Sequence, residues 1–215
     1  GGFATADETV APRFTARSGG LAPEALLAQG GVGFAGLAKV RPVLAGVLYR
    51  AGIANGDPRH KGLGQAQLQA LCTADFSRVV YLDDGRRARF GTTDCGKNSL
   101  VYAKGSSTKP SALLRRIGEL IDDPDQGPLL LHCDWGVHSS GVVAAMALVQ
   151  FCGWSADEAK AYWQQTRDGA PCKGGCEAWI DARFRGFTAR PDLVPNAATQ
   201  ARLCPARPQS PAATP

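Results

Sequence analysis

Ten residues at positions 132–141, HCDWGVHSSG, combine a thiol with groups that can bind an oxyanion. Cys133 follows the apolar run LLLH, and the small and apolar segment GVVAAMALVQFC begins at Gly141. This pattern predicts a loop between a buried strand and a buried helix. The N-terminus of a helix favours a thiolate, and loop N–H groups beside it bind tetrahedral anions. We therefore predict a phosphate-binding loop with a nucleophilic thiol, and call residues 132–141 the cup loop.

Four neighbours of Cys133 favour chemistry over simple packing. A single cysteine is more commonly a small buried apolar residue than a nucleophile. Here the thiol is accompanied by an imidazole, by a glycine where the loop must turn, by a hydroxyl placed to donate a hydrogen bond to sulfur, and by a glycine that opens the helix. In chain order these are His132, Gly136, Ser140 and Gly141. Their context of strand, loop and helix favours an anion site.

Predicted strands and helices alternate on both sides of the cup loop. Strands are predicted at 45–52, 77–84, 99–105 and 127–133, and helices at 62–74, 109–123, 140–153 and 156–167. This alternation predicts a single α/β domain with a mostly parallel central sheet flanked by helices. Ligands of such sheets bind at the carboxyl ends of the strands, which is where Cys133 falls. Four aromatic residues are predicted to pack in the core: Trp163, Trp179, Phe184 and Phe187.

The length and composition fit one globular domain with two tails. The chain has 215 residues, of which 44% are hydrophobic, and a formal net charge of +5. We predict a flexible lead-in at 1–37, a domain at 38–190 and a Pro-rich tail at 191–215. The basic residues are scattered, so the charge does not support nucleic acid as a partner. No stretch has the roughly 18–20 apolar residues of a membrane span, and the sequence leaves the oligomeric state open.

The seven cysteines predict disulfides with one free thiol. An odd count permits three bridges, and Cys133 is the natural unpaired residue. Disulfides favour an oxidising compartment, periplasmic or secreted. The first residues, GGFATADETV, include no initiator methionine, as expected if a targeting segment has been removed. The alternatives are reduced thiols in a cytoplasmic protein, or zinc at Cys172 and Cys176, which lack the usual additional ligands. Six cysteines allow 15 pairings, and the sequence does not choose among them.

The cup loop resembles the His-Cys-x5-Arg-Ser/Thr-Gly signature loop of the cysteine-dependent protein tyrosine and dual-specificity phosphatases. The match includes His132, Cys133, Gly136, Ser140 and Gly141. Upstream, KVRPVLAGVLYRAG is similar to the first core segment of the atypical, tyrosine-phosphatase-like members found in bacteria, fungi and plants. The resemblance extends over about residues 38–165, and it departs at one position of the cup loop, where Ser139 occupies the place of the arginine.

The resemblance implies a role for each matched residue. Cys133 is the nucleophile that accepts the phosphoryl group, His132 orients the loop and tunes the thiol, and Ser140 stabilises the thiolate when it leaves in the second step. Backbone N–H groups hold the phosphate oxygens; they belong to Asp134, Trp135, Gly136, Val137, His138, Ser139 and Ser140. The implied substrate is a phosphorylated protein or an inositol phosphate. No cofactor and no metal is implied.

The general acid is the weakest part of the resemblance. The family supplies an aspartate from a mobile loop upstream of the cysteine to protonate the leaving group. The segment AKGSSTKP, at 103–110, has no carboxylate, so Asp94 is the candidate by distance, with Asp83 and Asp84 as alternatives. All three could equally be surface carboxylates of loops. Asp134 lies inside the cup loop and is expected to point away from the anion, because a carboxylate facing it would repel it.

The serine at position 139 leaves three functions open. An arginine would bind two phosphate oxygens and offset the charge of the transition state, which a serine cannot do. A replacement cation would have to come from His138, Lys104 or Arg167. The first expectation is a phosphatase impaired by Ser139, and the second is a pseudophosphatase that binds a phosphorylated ligand without cleaving it. The third is an active phosphatase in which Ser139 has been substituted for a natural arginine.

Overall fold

A six-stranded mixed sheet forms the centre of the molecule. The computed structural model describes residues 36–208 except 54, 55, 83, 84, 97 and 168. The strands are β1 (Leu37–Leu44), β2 (Leu48–Ile53), β3 (Arg78–Tyr81), β4 (Gly91–Cys95), β5 (Asn98–Lys104) and β6 (Leu129–Cys133). The helices are α1 (Gln65–Thr73), α2 (Ser111–Asp122), α3 (Ser139–Cys152), α4 (Ala156–Thr166), α5 (Cys176–Gly186) and α6 (Ala197–Leu203), with 3-10 turns at Pro124–Gln126 and Pro191–Leu193.

The sheet order is β1-β2-β6-β3-β5-β4. The four inner strands β2, β6, β3 and β5 are parallel, and the two edge strands β1 and β4 pair antiparallel to their neighbours. The predicted α/β fold with a mostly parallel sheet is therefore confirmed. Strand β6 lies between β2 and β3, and Cys133 at its end is in register with Gly52. The carboxyl ends of the inner strands thus form one edge of the sheet, where the cup loop begins.

Strand β6 separates two apolar layers. All five of its residues are buried, and because strand side chains alternate between faces, Leu129 and Leu131 join one cluster while Leu130 joins the other. Helices α2 and α3 contribute to the first cluster and α1 contributes to the second. A third cluster joins α3 to α4 and α5. Helix α3 is therefore enclosed, which explains its apolar sequence.

The two edge strands and the last two helices, α5 and α6, are absent from the sequence prediction. Residues 1–35 of the predicted lead-in lie outside the described residues, but Leu37 is fully buried at the start of β1. In the Pro-rich tail, α6 packs Leu203 into the first apolar cluster. Within the described residues, no helix is long and apolar enough to cross a membrane.

The core prediction is wrong for one of the four aromatic residues. Trp163 and Phe184 are buried, and Phe187 packs against the core from a partly buried position. Trp179 is 51% exposed, and the guanidinium of Arg183 lies over its ring at 4.9 Å. Helix α5 turns another face to the core, formed by Ile180 and Phe184, because residues four apart share one side of a helix.

Three disulfides are present, and the prediction of one free thiol is confirmed. The bridges join Cys72 to Cys95, Cys152 to Cys204, and Cys172 to Cys176. The first ties α1 to the edge strand β4, and the second ties α3 to the residue after α6. Cys133 is free and buried.

Candidate active site

The cup loop passes so close to the end of β2 that two glycines are required. Gly136 has a φ of +72°, and a Cβ atom there would lie 2.6 Å from the backbone nitrogen of Gly52. A Cβ atom on Gly52 would lie 2.4 Å from the carbonyl carbon of Trp135. The N–H of Ile53 donates to the carbonyl of Asp134 across the same contact, at 3.0 Å. The end of β2 therefore determines the path of the loop.

Cys133 is held at the base of this loop by two contacts. The N–H of Gly136 donates to its Sγ atom at 3.2 Å, and Sγ lies 3.2 Å from the hydroxyl oxygen of Ser140. Both Cys133 and Ser140 are buried. Helix α3 begins at Ser139, so the N–H groups of its first turn, which lack partners within the helix, lie near the thiol. N–H groups arranged in this way can bind an oxyanion beside the sulfur.

His132 is a buried neutral imidazole. Its Nε2 atom lies 2.8 Å from the hydroxyl of Tyr102, which also accepts the N–H of Leu63 at 3.1 Å. Burial lowers the pKa of His132 to about 4, and the ring stacks on Tyr81 at a centroid distance of 4.4 Å. His132 therefore stiffens the loop and is not a proton donor at neutral pH.

The carboxylate of Asp134 is directed towards Tyr81 and the loop after β2. Tyr81 hydrogen-bonds through its hydroxyl to Asp134 and, at 3.0 Å, to Asp57. The Nδ1 atom of His60 lies 3.6 Å from the other oxygen of Asp134. Burial and the two carboxylates raise the pKa of Tyr81, so its hydroxyl keeps its proton. Tyr81 and Asp57 come from different segments of the chain, and no local motif joins them.

A buried arginine is hydrogen-bonded to the backbone of the cup loop. Arg50, in β2, is 1% exposed, and its Nη1 atom donates to the carbonyl of Gly136 at 3.0 Å. The same guanidinium donates to the hydroxyl of Tyr162 at 3.2 Å and to the carbonyl of Thr166 at 3.4 Å. None of the ion pairs among the described residues includes Arg50. Its sequence signal is a charged residue inside the apolar segment VLYRAG, and Arg50 is absent from the predicted site residues.

Ser139 and the three proposed replacement cations have different surroundings. Ser139 is the first residue of α3 and is half-buried. Arg167 pairs with Glu177 at 2.9 Å and lies over the ring of Trp163. The Nε2 atom of His138 lies 3.3 Å from the carbonyl of Pro171. The third, Lys104, is exposed at the carboxyl end of β5.

The exposed side chain in the cup loop is Trp135. It is 56% exposed, and its ring lies against the backbone at Gly56, where a Cβ atom would be 2.7 Å from the ring. Val137 is buried, and its carbonyl accepts the indole N–H of Trp163 at 3.2 Å. The loop is thus fixed on its inner side by side chains of α4 and β2.

The structure does not bring Asp94 to the thiol. Asp94 pairs with Ser99 near the amino end of β5, whereas Tyr81, in register with His132, pairs with Lys104 at the carboxyl end of β5. Strand β4 is also the outermost strand, three positions from β6. The two alternative acids, Asp83 and Asp84, lie outside the described residues. In the part of the chain that the structure describes, no group of three or more His, Cys, Asp or Glu residues could hold a metal ion.

No family model matches this chain, and no curated protein matches it. Among solved structures, Tk-PTP in its active form is 18% identical with a TM-score of 0.46, over 68% of this chain and 95% of that chain. The core catalytic domain of the PP-IP phosphatase SIW14 from S. cerevisiae, in complex with citrate, is 18% identical with a TM-score of 0.39, over 66% and 83%. TpbA from P. aeruginosa, in complex with pTyr, is 18% identical with a TM-score of 0.35, over 66% and 87%. At these identities and TM-scores the likeness supports no conclusion about function, so function is argued from the site.

Proposed function

We propose that this chain is a phosphatase of the tyrosine and dual-specificity class, whose activity is impaired by Ser139. One observation carries the proposal: Cys133, the single cysteine outside the disulfides, accepts the N–H of Gly136 and lies beside the first turn of α3. A thiol among convergent N–H donors suits attack on a tetrahedral phosphorus and binding of the oxygens that gain charge. The proposed substrate is a phosphorylated protein or an inositol phosphate.

The proposed reaction has two steps. The Cys133 thiolate attacks phosphorus, the S–P bond forms, and the bond from phosphorus to the ester oxygen breaks. Water then attacks the cysteinyl-phosphate, phosphate leaves, and the thiolate returns. The hydroxyl of Ser140, 3.2 Å from Sγ, stabilises that thiolate by donating a hydrogen bond. His132 is neutral and buried, so it does not supply the proton that the departing alcohol takes up.

Ser139 weakens the first step most. Removing one preorganised donor to a transition-state oxyanion reduces kcat by roughly 10² to 10³, and an arginine supplies two charged donors. Arg50 is bonded to a carbonyl of the loop, so it maintains the shape of the cup but does not take the place of a bidentate contact to phosphate. We therefore propose slow turnover with the cup itself intact.

The test of this proposal is the substitution Ser139→Arg. We expect the variant to hydrolyse p-nitrophenyl phosphate at least about a hundredfold faster than the natural chain, because the two charged donors are restored. Ser139→Lys serves as the matched control, since a single point charge cannot bind two oxygens and should give a smaller gain. Adding Cys133→Ser should abolish the activity of the Ser139→Arg and Ser139→Lys variants. Equal, low rates for all these proteins would contradict the enzyme proposal.

The second candidate function is a pseudophosphatase that binds a phosphorylated ligand. It is favoured by the serine at position 139 together with the lack of any carboxylate at 103–110. Orthophosphate should then protect Cys133 from alkylation by iodoacetamide even if turnover is absent. Protection without any gain of activity on Ser139→Arg would favour this candidate. A lack of protection by orthophosphate would contradict both functions.

We further propose that the protein works in an oxidising compartment, the periplasm or the extracellular space. Three disulfides support this, because cytosolic thiols are kept reduced in most organisms.

A further inference from the structure

Two loops at the carboxyl edge of the sheet carry cations without counter-ions. Arg59 and Lys61 follow β2, and Arg87 and Arg89 follow β3. Among the described residues, none of these four forms an ion pair. Cations on other elements do pair with carboxylates: Arg116, Lys160, Arg167, Arg185, Arg190 and Arg207. In the loop after β2, His60 lies beside Asp134. Like charges held together without partners repel one another, so a bound anion would stabilise this arrangement.

A cavity lies between these two loops. Its volume is about 630 Å³, within the range of small-molecule sites. Its cations are Lys61, Arg87 and Arg89, and its apolar base includes Leu63 and Leu68. No carboxylate is found among the described residues that line it. We call it the cationic pocket.

The loop after β2 attaches the cationic pocket to residues on either side of Cys133. Leu63, in the wall of the pocket, donates its N–H to Tyr102, whose hydroxyl bonds to His132. His60 lies beside Asp134. The pocket and the cup loop are therefore linked through a buried chain of hydrogen bonds.

The loop after β3 is joined to the loop after β2. Arg87 donates its backbone N–H to the carbonyl of His60 at 3.1 Å. Asp57 accepts the N–H groups of Lys61 and Gly62, which fixes the turn that presents the lysine. These hydrogen bonds fix the backbone of the loops that carry the cations, so the loops have less order to gain when an anion binds.

We infer that the cationic pocket is a second anion-binding site, and that the ligand carries a further phosphate or other anionic group besides the phosphate in the cup loop. The inference rests on the proposed function for the first phosphate only. Ser139 weakens the binding of phosphate in the cup loop. A second site would restore the affinity for the whole ligand, because its second anionic group binds at a high effective concentration once the first group is held. The ligand is therefore a polyanion and not an isolated monoester.

The test uses inorganic phosphates of increasing chain length to probe the distance from the cup loop to the cationic pocket. Orthophosphate, pyrophosphate, tripolyphosphate and longer polyphosphates are compared by the concentration that halves the rate of Cys133 alkylation by iodoacetamide. We expect that concentration to fall about tenfold or more at the chain length that reaches the cationic pocket. In the variant Lys61→Met, Arg87→Met, Arg89→Met the fall should disappear, while protection by orthophosphate stays as in the natural chain.

A matched control separates this pocket from net charge. The variant Lys39→Met, Arg115→Met, Arg202→Met also removes three positive charges, and it should keep the length-dependent gain. If the pocket variant keeps the gain, or if both variants lose it equally, the second site is refuted. If orthophosphate protects Cys133 in no variant, the proposed function fails. Calorimetry with tripolyphosphate then tests the pocket alone, and binding should be lost only in the pocket variant. Equal binding to the unsubstituted chain, the pocket variant and the control variant would overturn the second site.

Discussion

Arg50 is a buried cation that is hydrogen-bonded to the cup loop. A buried guanidinium without a carboxylate is stable only if its donors are bonded, and Arg50 uses Nη1 on Gly136, Nε on Tyr162 and Nη2 on Thr166. Its bond to Gly136 holds the residue whose N–H faces the sulfur of Cys133. Arg50 is therefore a positioning residue of the cup loop.

Replacing Arg50 with Met should loosen that loop. A charge-assisted hydrogen bond contributes about 1.5–3 kcal/mol, so we expect the orthophosphate concentration that half-protects Cys133 to rise about tenfold or more. Tyr162→Phe is the control, because it keeps the ring and removes one bond of the guanidinium that does not touch the loop. Unchanged protection in a folded Arg50→Met protein would show that Arg50 has no positioning role, and an equal loss in Tyr162→Phe would assign the effect to the scaffold.

His132 predicts a pH dependence of stability. Its pKa is lowered by burial to about 4 in the folded protein, against about 6.5 unfolded. The unfolded chain therefore binds the proton more tightly, so the contribution is complete above about pH 6.5 and is lost as the pH falls towards 4. In urea unfolding, acidification from pH 7 to 4 should destabilise the natural chain by up to about 3 kcal/mol more than His132→Gln. A difference between the two proteins that does not vary with pH would contradict this.

At the scale of elements, the end of β2 and the cup loop form one unit. The two meet backbone to backbone at Gly52 and Gly136. Gly62 is similarly close to Tyr102, whose hydroxyl would lie 2.3 Å from a Cβ atom there. The loop geometry thus depends on strand pairing between β2 and β6, which is tight at this end because Gly52 is in register with Cys133.

Gly136→Ala should disrupt that unit. The φ of +72° disfavours alanine, and its Cβ would lie 2.6 Å from the Gly52 nitrogen. We expect a loss of unfolding free energy of about 2 kcal/mol or more, with loss of orthophosphate protection. Gly174→Ala is the matched control, since its φ is +63° but nothing lies within 4 Å of the added atom. It should lose only about 1 kcal/mol. Equal losses would mean that the close approach to β2 has no effect.

At the scale of the whole molecule, the C-terminal segment belongs to the folded unit. The N–H of Ala45 donates to the carbonyl of Leu203 at 2.8 Å, and Cys204 is bonded to Cys152 at the end of α3. Buried Leu203 completes the first apolar cluster. Helix α3 thus begins in the cup loop and is linked at its other end, through a disulfide, to the C-terminal segment.

The disulfides should differ in how much they stabilise the fold. The Cys152–Cys204 bridge spans a sequence separation of 52, and the Cys172–Cys176 bridge spans 4. By loop entropy, their removal as paired alanine variants should lower the unfolding free energy by about 4 and about 2 kcal/mol respectively. Urea unfolding measures both. Thiol titration of the unreduced, unfolded protein should find one free cysteine. Seven thiols, or equal losses from the two bridges, would contradict this assignment.

Local sequence patterns are sufficient to predict the strand, loop and helix of the site. The run LLLHC, the turn glycine and the small-residue helix predict β6, the cup loop and α3, because burial on all sides leaves a continuous apolar pattern. The odd cysteine count likewise predicts the free Cys133. Edge strands β1 and β4 left no such pattern, because they are partly exposed and only half of their residues need be apolar.

The contacts between distant residues around the cup loop follow from the fold and not from any local pattern. Arg50 reaches Gly136 across 86 positions of the chain, and Tyr81 joins Asp134 to Asp57. Asp94, in contrast, is carried to the other end of the sheet. The physical reason is that strand order and direction govern these contacts, and they follow from how the two apolar layers close around β6, which no local stretch of sequence specifies.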